Sequence, residues 1–520
     1  MKQFLSRLIG KNYSVKGATA LLAITALLSN VLGLLRNVVF YHVVSPSQLD
    51  VYFASFRLPD LIFNVLILGA ISSAFIPIIT QILSKDDKKK VWEISNQVIS
   101  WITACFIVLA VIMFAAMPQI MHLVVYGFDT TRFEQAVLIS RILLLQSIFF
   151  AWSWTFGGIL NGFRRFSTYA VAPLLYNLSI IVGGFLARYY GINAIAWSVV
   201  LGAALHMSIQ YWEVRRLGYN PKIDLRWTKE VKEVITLMIP RSISQGITQL
   251  ELIILTSLGS GLMNGSIAVF SGMNDLQTTP TVVIANSLAV AFFPALTTYA
   301  AVQNWGEMQN LLNKVVRVAL FLLLPSITLC LMFRTPLIQL YTNGHLTNLA
   351  IPTFAWFMIG VIPAALVVIL AKVYYGFKDT RTPLILNTVG AVAGTLSAII
   401  GIRILHGEIP VLAMANSIES WVQCILYLYF LHRLQPGILP LNKLFAPIGR
   451  YLGGAVVMAL AGWLALKGIH LAAPGSTTII LLVQLVLGGL IAVLAYYLYS
   501  RIMQPEEIQW LKSNVFTKRR

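Results

Sequence analysis

Long runs of apolar positions, broken at short intervals by clusters of charge, glycine and proline, dominate this chain. A helix that crosses a bilayer needs about 20 mainly apolar residues. The pattern predicts fourteen such helices, over 17–44, 51–83, 92–125, 133–161, 168–187, 192–213, 231–258, 266–300, 310–333, 350–376, 383–402, 409–431, 447–466 and 477–500. Strands of a membrane barrel would instead alternate apolar and polar positions over about ten residues. The predicted fold class is therefore an all-α polytopic membrane protein, and no loop is long enough for a separate soluble domain.

Two words of the pattern recur. "AFIPIIT" at Ala74–Thr80 returns as "AFFPALT" at Ala291–Thr297, 217 residues later, and "GFRR…PLLYN" at Gly162–Asn177 returns as "GFKDTRTPLILN" at Gly376–Asn387, with Pro173 and Pro383 separated by 210. Each word falls on the equivalent helix of its half. The repeat predicts an N-terminal six-helix lobe over 1–214, a basic connector over 215–230, a C-terminal six-helix lobe over 231–432, two extra helices within 447–500 and a basic tail over 501–520. An even number of helices keeps both halves in one orientation, so their pseudo-twofold axis runs along the membrane normal. That arrangement suits a transporter with alternating access, or a duplicated scaffold that moves nothing.

Polar positions inside the spans carry the candidate chemistry. Thr25, Ser29, Gly33 and Asn37 are four apart, and Arg36 lies seven from Ser29, so all share one face of the first helix. A charge at the bilayer centre costs at least about 2.5–3.5 kcal/mol. Arg36 lies about 12 Å along the helix from residue 44, which leaves contact with an anionic ligand, an internal ion pair or outward snorkelling open. The second span opens with Asp50, Arg57, Asp60 and Asn64. Arg57 and Asp60 can pair at a spacing of three, while Pro59 interrupts the helix ladder. Gly33, Pro59 and Gly69 are candidate hinges or kinks, with Ser72 and Ser73 permitting close helix contact. In the second half, Arg241, Glu251, Asp275, Lys372 and Glu419 lie on spans. Glu251 and Asp275 are candidate proton or cation sites, or members of structural pairs.

Composition agrees with the pattern: of 520 residues, 58% are hydrophobic and 11% charged, with a mean hydropathy of +0.78. Charge adds orientation. With a cytoplasmic N-terminus, 28 of the 38 Lys and Arg fall on the cytoplasmic side and five in outer loops, the asymmetry that sets topology. Both termini are thus expected in the cytoplasm, and the net charge of +19 needs anionic membrane lipids as its partner rather than nucleic acid. The basic start runs into a span of 28 residues, too long for a signal-peptide core, and is expected to stay attached. Cys105, Cys330 and Cys424 fall within spans at spacings unlike any metal or redox motif. No HExxH, G-x-S-x-G or P-loop occurs. The reading is no enzyme, no catalytic residue, no metal and no cofactor, with transport driven by membrane potential, at about 2.3 kcal/mol per charge per 100 mV, or by an ion gradient.

Several stretches are familiar together. "SNVLGLLRN", "DVYFASFRLPDLIFNVLILGAISSAFIPII", "LNGFRRFSTYAVAPLLYNLSIIVG" and "IPAALVVILAKVYYGFKDTRTP" resemble, in order and spacing, the MurJ/MviN family of lipid II flippases in the multidrug/oligosaccharidyl-lipid/polysaccharide exporter superfamily. The resemblance implies a bacterial inner-membrane protein that moves the undecaprenyl-pyrophosphate-linked peptidoglycan precursor to the outer leaflet for cell wall synthesis, with cell wall synthesis or division proteins as further partners. It carries Arg36, Asp50 and Arg57 over as substrate-cavity positions, with Ser29 and Asn37 on the same face. The sequence departs from the family where Asn30 replaces a basic residue, Phe63-Asn64 a basic pair, Met273-Asn274-Asp275 an Ala-Asp-Arg word, and Leu255 a sodium-binding carboxylate of some members. Another polyprenyl-linked glycan, a cationic small molecule, or a non-transporting envelope scaffold are the alternatives.

Overall fold

The structure, a computed structural model, describes residues 15–68, 75–439, 442–503 and 505–511. Gly69, Ser72 and Ser73 lie outside the described residues. Every regular element among the described residues is helical. Twelve helices there are long and apolar enough to cross a membrane, consistent with the fourteen expected. The other two expected spans depart for visible reasons. The second is broken by Pro59, and the seventh, helical over Lys229–Ser260, carries Ser242, Ser244, Gln245, Thr248, Gln249 and Glu251 through its middle.

Many helices start where the sequence supplies a cap. The side chains of Asp87, Asp129, Thr228, Asn304 and Thr477 each accept from the backbone N–H three residues on, a contact worth about 1 kcal/mol. Two compact units result, Met1–Ala268 and Val269–Arg520.

In the first unit, α1 (Val15–Val43) packs on α7 (Phe166–Tyr190), and both α6 (Thr130–Gly162) and α7 pack on α8 (Asn193–Arg216). The second span is a series of pieces: α2 (Pro46–Ser55), α3 (Arg57–Phe63), a π-helical turn over Asn64–Leu68, and α4 (Ile76–Leu83). Helix α5 (Lys88–Val124) covers α6 and turns Ile107, Val108, Val111, Ile112 and Phe114 outward, the apolar face a helix presents to lipid.

The basic connector is a strap rather than a free linker. Asn96 on α5 accepts from the Tyr219 hydroxyl at 2.7 Å and the Lys222 amide at 3.0 Å. Ser100 accepts from the Asp224 amide at 2.9 Å, and Gln97 donates to the Asp224 carboxylate at 3.2 Å. Arg226 grips that carboxylate, with Nη2–Oδ2 at 2.6 Å, and its hydrogen bonds hold the group well below the usual carboxylate range. The strap delivers α9 (Lys229–Ser260), which packs on α3, the π-turn and α5 of this first unit, whereas the repeat counts it as the opening helix of the second lobe.

The second unit takes most of α10 (Ser266–Pro280), which runs into a π-turn over Thr281–Asn286 and α11 (Ser287–Ala301). The two π-turns begin 217 residues apart, the same offset as the "AFIPIIT" and "AFFPALT" words, so the repeat extends to local helix geometry. Helices α12 (Trp305–Met332), α13 (Arg334–Thr342), α14 (Thr347–Gly376), α15 (Arg381–Ile399) and α16 (Pro410–Leu434) follow. Of these, α16 packs on α14 and α15. The extra helices α17 (Asn442–Ala472) and α19 (Gly489–Met503), with the short α18 (Thr478–Val483) between them, join α12. A short terminal helix, α20 (Pro505–Leu511), is locked there: Arg317 bonds Glu506 at 2.9 Å and also Glu507, which accepts from the Tyr451 hydroxyl at 2.7 Å.

Candidate functional site

The break in the second span creates the first part of the site. Pro59 has no N–H to offer the Ser55 carbonyl one turn back. The Ser140 hydroxyl on α6 donates to that carbonyl at 3.0 Å instead, and the Ser55 hydroxyl donates to the Val51 and Ala136 carbonyls at 2.7 and 3.2 Å. The kink is therefore fully bonded. Just beyond it, Arg57 Nε donates to Thr256 Oγ1 on α9 at 2.7 Å, and the Arg57 charge also acts on Asp60. The π-turn is fastened to the same helix, where Ser242 donates to the Val65 carbonyl at 2.5 Å.

The polar face of α1 forms the second part. Arg36 is half-buried, and its Nε donates at 3.3 Å to Oδ1 of Asn37, itself only 1% exposed. Two turns away, Ser29 Oγ accepts from Asn177 Nδ2 on α7 at 3.1 Å. At Gly33 a Cβ would stand in ordinary contact, 3.9 Å from Asn177 Oδ1. The Ser29–Asn177 bond thus ties α1 to α7. The neighbouring Tyr176 lies within electrostatic reach of Arg36, Tyr52 and Asp60. Its hydroxyl donates to Gln146 at 3.4 Å, and its ring meets Phe150 edge-on at 5.1 Å. Arg36 and Asp60 therefore both act electrostatically on Tyr176.

Asp50 does different work. Its carboxylate accepts from the Gly265 amide at 2.6 Å, the Ala268 amide at 2.8 Å and Arg132 Nη2 at 3.0 Å. Arg132 also reaches Asn264 at 2.6 Å. Three charge-assisted bonds make Asp50 a pin for the 264–268 turn. The family resemblance placed Asp50 among the cavity positions, and these partners, more than 80 positions away along the chain, were not visible in the sequence.

Glu251 is 8% exposed on α9, the helix that receives Arg57. Asp275 belongs to the second unit, half-buried on α10, where its carbonyl accepts from the Thr278 and Thr279 hydroxyls, each at 3.1 Å. In that unit Lys372 sits over the Phe293 ring at 5.4 Å, and Glu419 accepts from Gln423 at 2.8 Å. Among the described residues no group of three or more His, Cys, Asp and Glu could hold a metal ion.

An arginine held in a polar setting within a span suits an anion with several oxygens, because a guanidinium presents a fixed fork of donors. The family model described as lipid II flippase MurJ matches residues 45–485. The chain belongs to this MurJ family. Among curated relatives, the probable lipid II flippase MurJ of Rhizobium tropici is 24% identical over 533 residues, covering 98% of this chain and 97% of the relative. The lipid II flippase MurJ of Burkholderia cenocepacia is 29% identical over 377 residues, 69% of this chain and 72% of its own. Among solved structures, a lipid II flippase MurJ in an inward closed conformation superposes with a TM-score of 0.77 at 21% identity, over 94% of this chain and 100% of the other. A multidrug resistance MATE transporter of the MOP superfamily gives 0.69 at 17% identity, over 80% and 98%, the same fold at greater distance. The polar neighbours that sequence reasoning missed are Tyr176 and Gln146, which an apolar span disguises as core. Asn177 was visible only as the last letter of a repeated word.

Proposed function

We propose that this protein moves lipid II from the cytoplasmic to the outer leaflet of a bacterial inner membrane by alternating access, with both termini in the cytoplasm. The observation that carries the reading is Arg36: a guanidinium half-buried within a membrane span, bonded to Asn37 and within electrostatic reach of Tyr176. A pyrophosphate is the part of lipid II that needs such a fork, while a prenyl chain requires only the apolar surface the spans already present. Arg57 adds a second cation, held in register by Thr256. Ser29 and Asn177 fix the helix that carries Arg36. Glu251 and Asp275 are the carboxylates through which an ion gradient would act, and membrane potential would act on any net charge that moves.

The test is direct: the purified full-length protein in sealed vesicles, offered fluorescent lipid II in one leaflet. The reading expects the probe to reach the opposite leaflet faster than in protein-free vesicles. Equal rates would contradict it.

A further inference from the structure

The strap turns an apolar face away from the protein. Asp224 and Thr228 point at α5, where each bonds Gln97, at 3.2 and 2.8 Å. Beside them Ile223, Leu225 and Trp227 are 90%, 51% and 55% exposed. Exposed apolar side chains grouped in this way mark a surface that something apolar covers. Lys222, Lys229 and Lys232 flank them and are also exposed, so whatever covers the face meets hydrocarbon and positive charge together.

The level of the strap along α5 identifies what covers it. Before Ser100, the last residue of α5 that the strap bonds, the helix carries Lys88, Lys89, Lys90 and Glu93; from Trp101 to Val124 it carries no Asp, Glu, Lys or Arg. Ser100 and Val124 are 24 residues apart, about 36 Å along a helix, slightly more than the roughly 30 Å of hydrocarbon in a bilayer. The strap thus crosses α5 at the boundary between headgroups and hydrocarbon. Tryptophan is enriched at that depth, where an apolar ring with a polar N–H meets both media. Trp227 meets Trp101 edge-on there, at 5.1 Å.

Beside this pair the first unit is hollow. A cavity of about 150 Å³ separates α5 from α9, lined by Val98, Trp101 and Cys105 of α5, Val231 and Val234 of α9, and Leu66 of the π-turn. Its walls are aliphatic apart from one thiol and one indole. Water needs two to four polar partners to settle in such a space, so the cavity suits a hydrocarbon chain. Cys105 is exposed, which opens the cavity toward the lipid-facing side of α5.

We propose that the strap and this cavity form a phospholipid site of the first unit. One acyl chain of a lipid in the strap-side leaflet enters the cavity between α5 and α9, and Lys229 and Lys232 meet its phosphate. Ile223, Leu225 and Trp227 lie embedded among the neighbouring chains. With both termini in the cytoplasm, this is the cytoplasmic leaflet. The chain completes a seam that protein leaves open, because α9 packs on both α5 and the π-turn and the cavity lies where the three meet. A soluble partner protein would instead leave the strap in water whenever this chain is alone in a bilayer.

Two measurements on the full-length protein, in vesicles of phosphatidylethanolamine and phosphatidylglycerol, test the site. The first places a spin label at Ile223→Cys, with Cys105, Cys330 and Cys424 replaced by serine. An embedded label collides more with oxygen than with a water-soluble nickel complex; the reverse overturns the embedding of the strap. The second uses a phospholipid with a diazirine near the ester end of one chain. Photolabelling is expected to be richer on residues 98–105 and 231–235 than at Trp212, which is exposed at the strap end of α8. That excess should be lost in Val234→Trp, which fills the cavity. If Val234→Trp does not fold, alkylation of Cys105 in the folded wild type, with a maleimide carrying a short hydrocarbon chain, fills it instead. Labelling no richer than at Trp212, or an excess that survives filling, overturns the cavity as a lipid site. Neither measurement contains lipid II, so failure here leaves the flippase reading standing, and failure of lipid II transport leaves this site standing.

Discussion

The Ser140 hydroxyl stands 3.0 Å from the Ser55 carbonyl and makes the bond that Pro59 withholds. A proline inside a membrane helix is tolerable only when the freed carbonyl finds another donor, since no water is there to supply one. This pair satisfies the carbonyl freed at the break in the second span, two residues before Arg57. Ser140→Ala should lower the thermal stability of the purified protein by about 1–3 kcal/mol, the cost of an unpaired buried carbonyl. Pro59→Ala restores a backbone donor, so the double variant should recover most of that loss in a double-mutant cycle; full additivity would refute the exchange of donors.

Arg57 and Thr256 join α3 to α9 at 2.7 Å. Thr256→Val keeps the shape and removes the acceptor. It should slow lipid II movement in vesicles while membrane abundance stays unchanged, and Arg57→Met should slow it further by removing the charge as well. Equal rates for Thr256→Val and wild type would show that Arg57 needs no such positioning.

The legibility of this chain divides along physical lines. Apolar runs announced the helices because bilayer thickness imposes a length that periodicity reveals at once. Arg36 and Asn37 were readable because spacing alone places them on one face with Ser29. The partners of Asp50 were not legible, because an acidic residue at a span entrance looks the same whether it meets a ligand or the amides of Gly265 and Ala268. Tyr176 was hidden for another reason: a tyrosine within an oily segment takes its meaning from neighbours on other helices. The matched π-turns at Asn64 and Thr281 lay beyond any residue pattern, although the 217-residue offset pointed to their positions.

The strap over 217–228 depends on Asp224 remaining ionised. Its carboxyl is depressed by the Arg226 hydrogen bonds, so its contribution is present above the ordinary unfolded value near 4 and is lost only as pH falls through the lower folded value. Limited proteolysis at the strap should therefore be unchanged between neutral pH and pH values near 5. Asp224→Asn should increase cleavage at every pH. Strap cleavage that rises steeply between pH 7 and 5 in the wild type would contradict this.

At the other end of the chain, Glu507 takes bonds from Arg317 and Tyr451. Burial pushes its carboxyl up, but the Tyr451 and Arg317 bonds outweigh burial and hold it below its ordinary value. Its stabilisation is likewise present above the unfolded value and fades as pH drops through the folded one. Glu507→Gln and Tyr451→Phe should each speed hydrogen exchange in α20. Neither should do so if the terminal helix is held by apolar contacts alone.

The central claim is that the Arg36 guanidinium handles the pyrophosphate of lipid II. Its most direct measurement is rescue of cells depleted of their own flippase by Arg36→Ala and Arg36→Lys, with the amount of each variant in the membrane determined in parallel. The account predicts that Arg36→Ala fails to rescue at normal abundance and that Arg36→Lys, which keeps the charge but loses the fork, rescues weakly. Full rescue by Arg36→Ala would contradict it.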